Sequence, residues 1–142
     1  MEDSDKKKLI LNFIKSQKLA VLATVNQKSG PEAAVIEFGQ TDDLEIIFDT
    51  LTSYRKYKNL SENSKVAIVV GWDNDVTIQY EGEAVELAGE EKIKCQELYF
   101  EKNPEARRWS DNPEIKYYKV IPKWIRYSDL NVKPWNIIEL NF

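Results

Sequence analysis

The spacing of apolar residues changes near residue 18, from a helical to an extended pattern. Residues 9–14 carry apolar side chains three and four positions apart, which predicts a helix that Asp3 or Ser4 caps and that ends near Gln17. Residues 19–25 then form a short, almost continuous apolar run. Its length and its β-branched residues favour a buried strand.

Further strands are predicted where short apolar or alternating runs are separated by turn residues. The first three predicted strands are joined by short turns, so we expect antiparallel hairpins. A short helix that Thr52 or Ser53 caps and a longer one over residues 89–103 interrupt this pattern. The predicted strands cover residues 19–25, 31–38, 44–49, 65–72, 76–87, 117–127 and 135–140.

The strand after residue 75 changes its apolar parity beside a glycine. Ile78 and Tyr80 lie before Gly82 in one phase, whereas Val85 and Leu87 follow it in the other. Such a change indicates a β-bulge, and barrels use bulges to bend and close. We therefore predict a mainly β fold, an antiparallel barrel of six to seven strands with peripheral helices, although a sandwich also fits the pattern. No linker or repeat divides residues 1–142, which predicts a single domain.

Composition excludes several kinds of site. The chain has no histidine and one cysteine, Cys95, so histidine-dependent catalysis and the usual zinc sites are excluded, and no metal site is predicted. None of its five glycines forms a dinucleotide-binding or P-loop motif. A net charge of −4 disfavours a nucleic-acid partner. No apolar run is long enough for a membrane span or a secretion signal, which predicts a cytoplasmic protein.

A small basic segment follows the third predicted strand. Arg55, Lys56 and Lys58 lie at the start of a predicted helix, with no acid in residues 51–58. Backbone N–H groups at a helix start, nearby hydroxyl groups and two cations suit one phosphate group. Three cations on a solvated helix face are the alternative interpretation. Nucleic acid requires a broader basic surface, so the segment suits the phosphate of a small cofactor.

In the order and spacing of its motifs, the chain resembles the FMN-binding split-barrel family typified by pyridoxamine 5′-phosphate oxidase. The resemblance extends from about Leu19 to Leu87, with a weaker similarity over 117–140. No single motif is specific, and their order carries the resemblance. The motifs are residues 22–25, Gly30-Pro31, residues 48–50, residues 54–56, Asn59-Leu60, Asn63, Val66, Trp72 and residues 77–84.

The resemblance implies a homodimer with FMN bound in two clefts between the subunits. Arg55 and Lys56 would hold the phosphate, with hydroxyl contacts from Ser53 or Tyr54, and Thr50 would face the cofactor. The remaining implied cofactor contacts are Val35, Ile36 and Glu37 along the edge of the flavin ring, Thr77 or Gln79 at its polar end, and Trp135 with Trp124 and Arg126 where the late strands close the site.

The chain departs from the oxidases that act on vitamin B6. Their ring-lining strand begins with arginine and ends with lysine, whereas the matching positions here include Glu32, Ala33 and Glu37. Those oxidases also end with a segment of arginine and histidine for the substrate phosphate, whereas this chain has no histidine. The chain is more similar to small general-stress-type relatives, which implies FMN binding without that substrate. We expect a flavin-dependent oxidoreductase with no catalytic side chain; the alternatives are a flavin carrier or redox sensor, or a barrel that binds a deazaflavin or a haem.

Overall fold

Antiparallel strands contribute more residues than helices to the computed structural model, which describes all residues from Met1 to Phe142. The α-helices are α1 (Asp3–Ser16), α2 (Arg55–Glu62) and α3 (Gly89–Lys102), and a 3₁₀ helix over Pro104–Trp109 follows α3. The strands are β1 (Leu19–Val25), β2 (Pro31–Glu37), β3 (Gly39–Gln40), β4 (Ile46–Leu51), β5 (Lys65–Val70), β6 (Val76–Glu86), β7 (Ile115–Asp129) and β8 (Asn136–Asn141).

These strands form one sheet in the order β2-β1-β5-β6-β7-β4-β3, with β8 paired to β7 off this path. Every strand pair is antiparallel, and the sheet curls into a half-barrel of the split-barrel type, which confirms the predicted fold class. The long strand β7 connects two regions, because residues 115–120 pair with β4 and residues 124–129 pair with β8.

The inner face of the curled sheet encloses a core of 22 buried residues. Alternate residues of β1, β5 and β6 face this core, and the predicted helix α1 adds the fully buried Ile10 and Ile14. Phe48 stacks on Tyr118 with ring centroids 5.3 Å apart. Burial of these apolar groups supplies the main stabilisation of the half-barrel.

A second cluster lies on the outer face, where α3 covers β4 and the start of β7. It contains Ile47, Leu87, Cys95, Tyr99, Phe100, Ala106 and Tyr117. The predicted parity change in β6 was therefore wrong. Ala84 continues the inward phase of Tyr80, Val85 is 41% exposed, and Leu87 lies past the end of the strand, under α3. An outer helix, and not a change of strand phase, explains the apolar residue at 87.

The predicted bulge is present at Gly82, but its extra residue belongs to the neighbouring strand. Glu81 pairs with Trp124 and Gly82 pairs with Pro122, so Lys123 of β7 has no partner in β6. A Cβ atom added to Gly82 would lie only 2.4 Å from the carbonyl oxygen of Ile121. Glycine therefore allows the two backbones to approach closely where the barrel bends.

Two other expectations were wrong in detail, and one short strand was not predicted. Seven strands follow one another in the half-barrel and β8 pairs off this path; the two-residue β3 is too short to leave a pattern in the sequence. Leu44 lies in a turn with φ of 66°, and β4 begins two residues later. The second and third predicted strands do not form a hairpin, since β2 pairs with β1 while β4 pairs with β3 and β7.

Lys102 joins three elements without an acidic partner. Its Nζ donates to the carbonyl oxygen of Ile14 at 3.2 Å and to Oε1 of Gln40 at 2.7 Å, and lies 3.6 Å from the ring centroid of Phe38. Burial lowers the pKa of Lys102 to about 8. The ordinary pKa of lysine in an unfolded chain is about 10.4.

The contribution of Lys102 to stability is therefore expected to rise with pH between these two values. Above about pH 8 the folded chain loses this proton while the unfolded chain keeps it, so Lys102 adds about 1 kcal/mol to the free energy of unfolding up to pH 10, allowing for partial exposure. Burial raises the pKa of Cys95 and of Tyr117, which lowers stability with rising pH, so the Lys102 contribution is measured as the difference between the urea-denaturation profiles of the wild type and Lys102→Met. The exposed Lys94→Met should follow the wild-type profile; a constant difference between the wild type and Lys102→Met across this range would contradict the expectation.

Candidate functional site

Strands β2 and β4 approach each other through the β3–β4 hairpin and then diverge. β3 pairs only with the first two residues of β4. Beyond that point, β2 pairs with β1 alone and β4 pairs with β7 alone, so each keeps one edge without a strand partner. Unpaired strand edges present free backbone N–H and C=O groups. Three cavities lie in or beside this split.

The turn after β4 places the start of a helix at the split. The N–H of Thr52 donates to the carbonyl oxygen of Glu114, and the N–H of Tyr54 donates to that of Leu51. The helix α2 then begins at Arg55 with Tyr54 as its N-cap residue and no side-chain cap, so the predicted cap by Thr52 or Ser53 is not formed. The first N–H groups of α2 therefore lack a side-chain acceptor, which is an arrangement that favours an anion.

The first cavity, which we call the basic cavity, measures about 330 Å³ and lies between β1, β2 and the start of α2. Its volume is at the lower end of the range of small-molecule sites. Apolar side chains of the two strands form one wall, and the turn before α2 forms the other. The lining residues are Leu22, Thr24, Glu32, Ala33, Ala34, Ser53, Tyr54, Arg55 and Lys56.

Glu32 is the only carboxylate that lines the basic cavity. It accepts hydrogen bonds from Nδ2 of Asn26 at 3.1 Å and from Nδ2 of the buried Asn59 at 2.8 Å, and Nε of Arg55 lies 3.3 Å away. The hydrogen bonds from Asn26 and Asn59, with a smaller effect of the Arg55 charge, hold the pKa of Glu32 below its usual range. Arg55 is thus already paired, although its side chain is 77% exposed.

Two cations line the basic cavity, Arg55 and Lys56, and Lys56 is the one that forms no salt bridge. It is partly buried, and its Nζ lies 5.1 Å from the ring centroid of Tyr54. Burial lowers the pKa of Lys56, and the nearby Asp49 partly offsets this effect. A partly desolvated lysine that forms no salt bridge gains energy from an anion that reaches it.

A second cavity of about 300 Å³, which we call the acidic cavity, adjoins the first and shares Tyr54 and Lys56 with it. Glu37 of β2 and Asp49 of β4 line it from opposite sides of the split. Burial raises the pKa of Asp49, and the Glu37 charge raises it further. The other lining residues are Val35, Ile36, Tyr99, Glu105, Ala106, Arg108 and Trp109.

A third cavity of about 370 Å³ continues from the acidic cavity along β4. Asp49, Tyr54 and Trp109 line both. The third cavity also contacts Thr50, which is 5% exposed and whose Oγ1 has no hydrogen-bond partner. Buried hydroxyl groups are nearly always paired, so this one indicates a missing partner.

The structure brings one group of the predicted site residues together around these cavities. That group consists of Val35, Ile36, Glu37, Thr50, Ser53, Tyr54, Arg55 and Lys56. Thr77 and Gln79 lie elsewhere, on β6. Gln79 is separated from Val35 by β5 and β1, which corresponds to about 14 Å across the sheet. Trp135 is 61% exposed just before β8 and lines none of the cavities described above.

Sequence reasoning did not identify several residues that shape the site. Glu32 appeared only as a departure from the oxidases that act on vitamin B6, and Asp49 and Asn59 appeared only as motif positions. Tyr99 and Trp109 reach the split because α3 and the 3₁₀ helix fold back over β4, which no local pattern indicates. One signal could have identified Asn59 as a site residue. It is a polar residue next to Leu60 on a short helix, and both residues are buried.

Other kinds of site are not formed. No three His, Cys, Asp or Glu side chains are grouped so as to hold a metal ion. The thiol of Cys95 is buried under α3, and burial raises its pKa, so little thiolate forms at neutral pH. Each helix is too short or too polar to cross a bilayer.

Solved structures share this fold at low sequence identity. The heme binding protein from Mycobacterium smegmatis matches with a TM-score of 0.81 and 12% identity, over 99% of this chain and 58% of that chain. General Stress Protein 26 from Bacillus anthracis str. Sterne matches with a TM-score of 0.72 and 24% identity, over 95% and 98% of the two chains. A Clostridium acetobutylicum protein related to general stress protein 26 (pyridoxinephosphate oxidase family) matches with a TM-score of 0.75 and 15% identity, over 99% and 97%.

These structural similarities show the fold. A comparison of the sequence with known protein families adds the family. No curated protein sequence matches the chain. The model of the family described as Pyridoxamine 5'-phosphate oxidase matches residues 7–129, a span that includes β1 to β7 and all residues of the three cavities. The chain therefore belongs to the pyridoxamine 5′-phosphate oxidase family.

Proposed function

We propose that the chain binds FMN with the phosphate group in the basic cavity. The observation that carries this proposal is Lys56, a partly buried cation without a salt bridge beside the uncapped start of α2. A phosphate supplies the missing cap and the missing counter-charge together, with Arg55 and Ser53 as further donors. Each charge-assisted hydrogen bond of this kind contributes about 1.5–3 kcal/mol.

Two further features suit the rest of the cofactor. The unpaired edge of β2 offers backbone groups to the polar edge of a flat ring, beside Val35, Ile36 and Glu37. Thr50, on the opposite strand, lines the third cavity, and its buried hydroxyl group has no hydrogen-bond partner within the chain. FMN, when bound, supplies hydride and electron transfer at its own ring, while the chain positions and shields it.

A homodimer is part of the proposal, because Thr77, Gln79 and Trp135 line none of the three cavities of their own chain, and a second copy would supply them. The outer face of β1, β2 and β5 exposes apolar side chains that a second copy can cover, among them Val35, which is 61% exposed, and Val69, which is 38% exposed. A second copy docked there would bring its own Gln79 towards the cofactor. Contiguous apolar surface of this kind is typical of an interface.

The visible spectrum of freshly purified protein, with mass analysis of the released ligand, tests cofactor identity. A flavin spectrum and the mass of FMN support the proposal. A haem spectrum, or a colourless protein that does not bind added FMN, contradicts it. Riboflavin serves as the matched control, because it lacks only the phosphate and should bind about a hundredfold more weakly.

We propose flavin-dependent oxidoreduction as the activity. The alternative function, a flavin carrier or redox sensor, uses the same phosphate site. Measurement of catalytic turnover by the bound flavin distinguishes the two functions. Reduction of the bound flavin by NADH or NADPH, followed by reoxidation with an added acceptor, supports the enzyme. A bound flavin that stays inert to both supports the carrier.

Glu32→Gln is expected to tighten FMN binding about fivefold, because removing a like charge near the phosphate relieves roughly 1 kcal/mol of repulsion. The change also frees Arg55 from its salt bridge. Titration with FMN measures the gain, and riboflavin affinity should stay unchanged. Glu101→Gln, an exposed site on α3, is the matched control. A weaker FMN affinity in Glu32→Gln would show that this carboxylate supports the ligand.

A further inference from the structure

Three side chains hold the carboxylate of Glu32 at the edge of the basic cavity. Its Oε2 accepts a hydrogen bond from Asn26, and its Oε1 accepts one from Asn59 at 2.8 Å and lies 3.3 Å from Nε of Arg55. Asn59 is only 5% exposed, whereas Arg55 is an exposed residue. The buried contact of Glu32 therefore comes from a residue that does not itself line the basic cavity.

The amide of Asn59 is fixed by a second hydrogen bond. Its Nδ2 also donates to Oγ1 of the buried Thr24 at 3.0 Å. Thr24 of β1 and Glu32 of β2 are directly paired, so their side chains lie on the same face of the sheet. One amide nitrogen of α2 thus uses both of its hydrogens on two neighbouring strands. This arrangement fixes where the carboxylate of Glu32 lies relative to α2.

The position of Glu32 decides which cation of the basic cavity is available to an anion. Glu32, Arg55 and Lys56 all line this cavity, yet only Arg55 forms a salt bridge with the carboxylate. Opposite charges in one cavity attract each other, and a carboxylate that loses a hydrogen-bond donor gains more from a cation. Without Asn59, Oε1 would keep only the exposed Arg55, and the carboxylate would gain energy by turning towards Lys56.

We propose that Asn59 is a positioning residue of the phosphate site, which holds Glu32 beside Arg55 and thereby keeps Lys56 available to the phosphate. The inference rests on the proposed function for its ligand, whereas the hold on Glu32 is a property of the chain without ligand. Asn59 acts through Glu32, so its effect on FMN should depend on the presence of that carboxylate.

A double-mutant cycle tests this dependence. Asn59→Leu is expected to weaken FMN binding about fivefold and to leave riboflavin affinity unchanged. In a Glu32→Gln background, Asn59→Leu should leave FMN affinity unchanged as well, because no carboxylate remains to be misplaced. Ser61→Ala removes a hydrogen bond on the exposed side of α2 and is the matched control. If Asn59→Leu does not fold, Asn59→Ala takes its place in the same cycle.

Carboxyl ¹³C NMR of Glu32 at a series of pH values tests the hold on this residue without FMN. Hydrogen bonds from Asn26 and Asn59 lower the pKa of Glu32 in the wild-type chain. In Asn59→Leu this pKa is expected to rise towards the usual range of glutamate. The cations that line the basic cavity or the adjoining polar cavity with Glu32 keep their charge while a glutamate titrates. These cations are Lys28 of the turn after β1 and Arg55, Lys56 and Lys58 of α2.

The proposal is overturned if Asn59→Leu leaves the pKa of Glu32 unchanged, or if it weakens FMN binding equally with glutamate and with glutamine at position 32. FMN binding by the wild-type chain is measured separately. A raised Glu32 pKa in Asn59→Leu, in a chain that binds no FMN, would support the hold on Glu32 and contradict the flavin function. FMN binding that Asn59→Leu does not alter would support the flavin function and contradict the positioning role.

Discussion

Lys56→Met is expected to weaken FMN binding by about ten- to a hundredfold, the loss that corresponds to one charge-assisted hydrogen bond. Lys56 is partly buried and has no salt bridge, so its charge is available to the phosphate. Methionine keeps most of the length of the side chain and suits a half-buried position, so the fold should persist. Fluorescence titration with FMN at several salt concentrations measures the loss and its salt dependence.

Three comparisons make this result specific. Riboflavin affinity should not change in Lys56→Met, because riboflavin has no phosphate. Lys94→Met removes an exposed lysine on α3 and should leave FMN affinity unchanged. Arg55→Ala should weaken FMN binding less than Lys56→Met does, because Arg55 is 77% exposed and already paired with Glu32. Wild-type FMN affinity in both Lys56→Met and Arg55→Ala would show that the phosphate lies elsewhere.

Gly82→Ala is expected to destabilise the fold by about 3 kcal/mol, at the upper end of the usual cost of overpacking. The new methyl group would lie 2.4 Å from the carbonyl oxygen of Ile121 and 2.8 Å from Cγ1 of Val120. The carbonyl oxygen of Ile121 belongs to the backbone of β7. Relief of the clash would therefore move β6 and β7 apart and disrupt their pairing at the bulge. Urea denaturation monitored by tryptophan fluorescence gives the change in free energy of unfolding.

Gly89→Ala is the matched control for this substitution. Gly89 has a φ of 62°, but no atom lies within 4 Å of the position of an added Cβ. Only the left-handed conformation opposes the change, at a cost of about 1 kcal/mol. Equal losses for the two variants would show that close contact with β7 does not require glycine at position 82.

Local patterns predicted the elements well where each element has one buried face. The helix α1 ends one residue before the predicted limit, because periodicity reports burial on a single side. The bounds of β1 were also predicted correctly, from an almost continuous apolar run. The prediction failed at Leu87, where α3 covers the outer face of the sheet. It also placed the bulge correctly but on the wrong strand, since pairing register depends on β7, which lies far along the chain.

The sequence by itself determined the mainly β character and the cationic turn after β4, because these follow from side-chain periodicity and neighbouring residues. The pattern left a barrel and a sandwich open, and the tertiary structure decided for the half-barrel. Only the tertiary structure decided that Arg55 is paired while Lys56 forms no salt bridge, since Glu32 comes from a separate strand and is held by Asn59 from the middle of α2. It also decided that Glu37 and Asp49 line one cavity with Tyr99 and Trp109. The physical reason is that charge balance and desolvation depend on distance in space, whereas the pattern along a chain records distance in sequence.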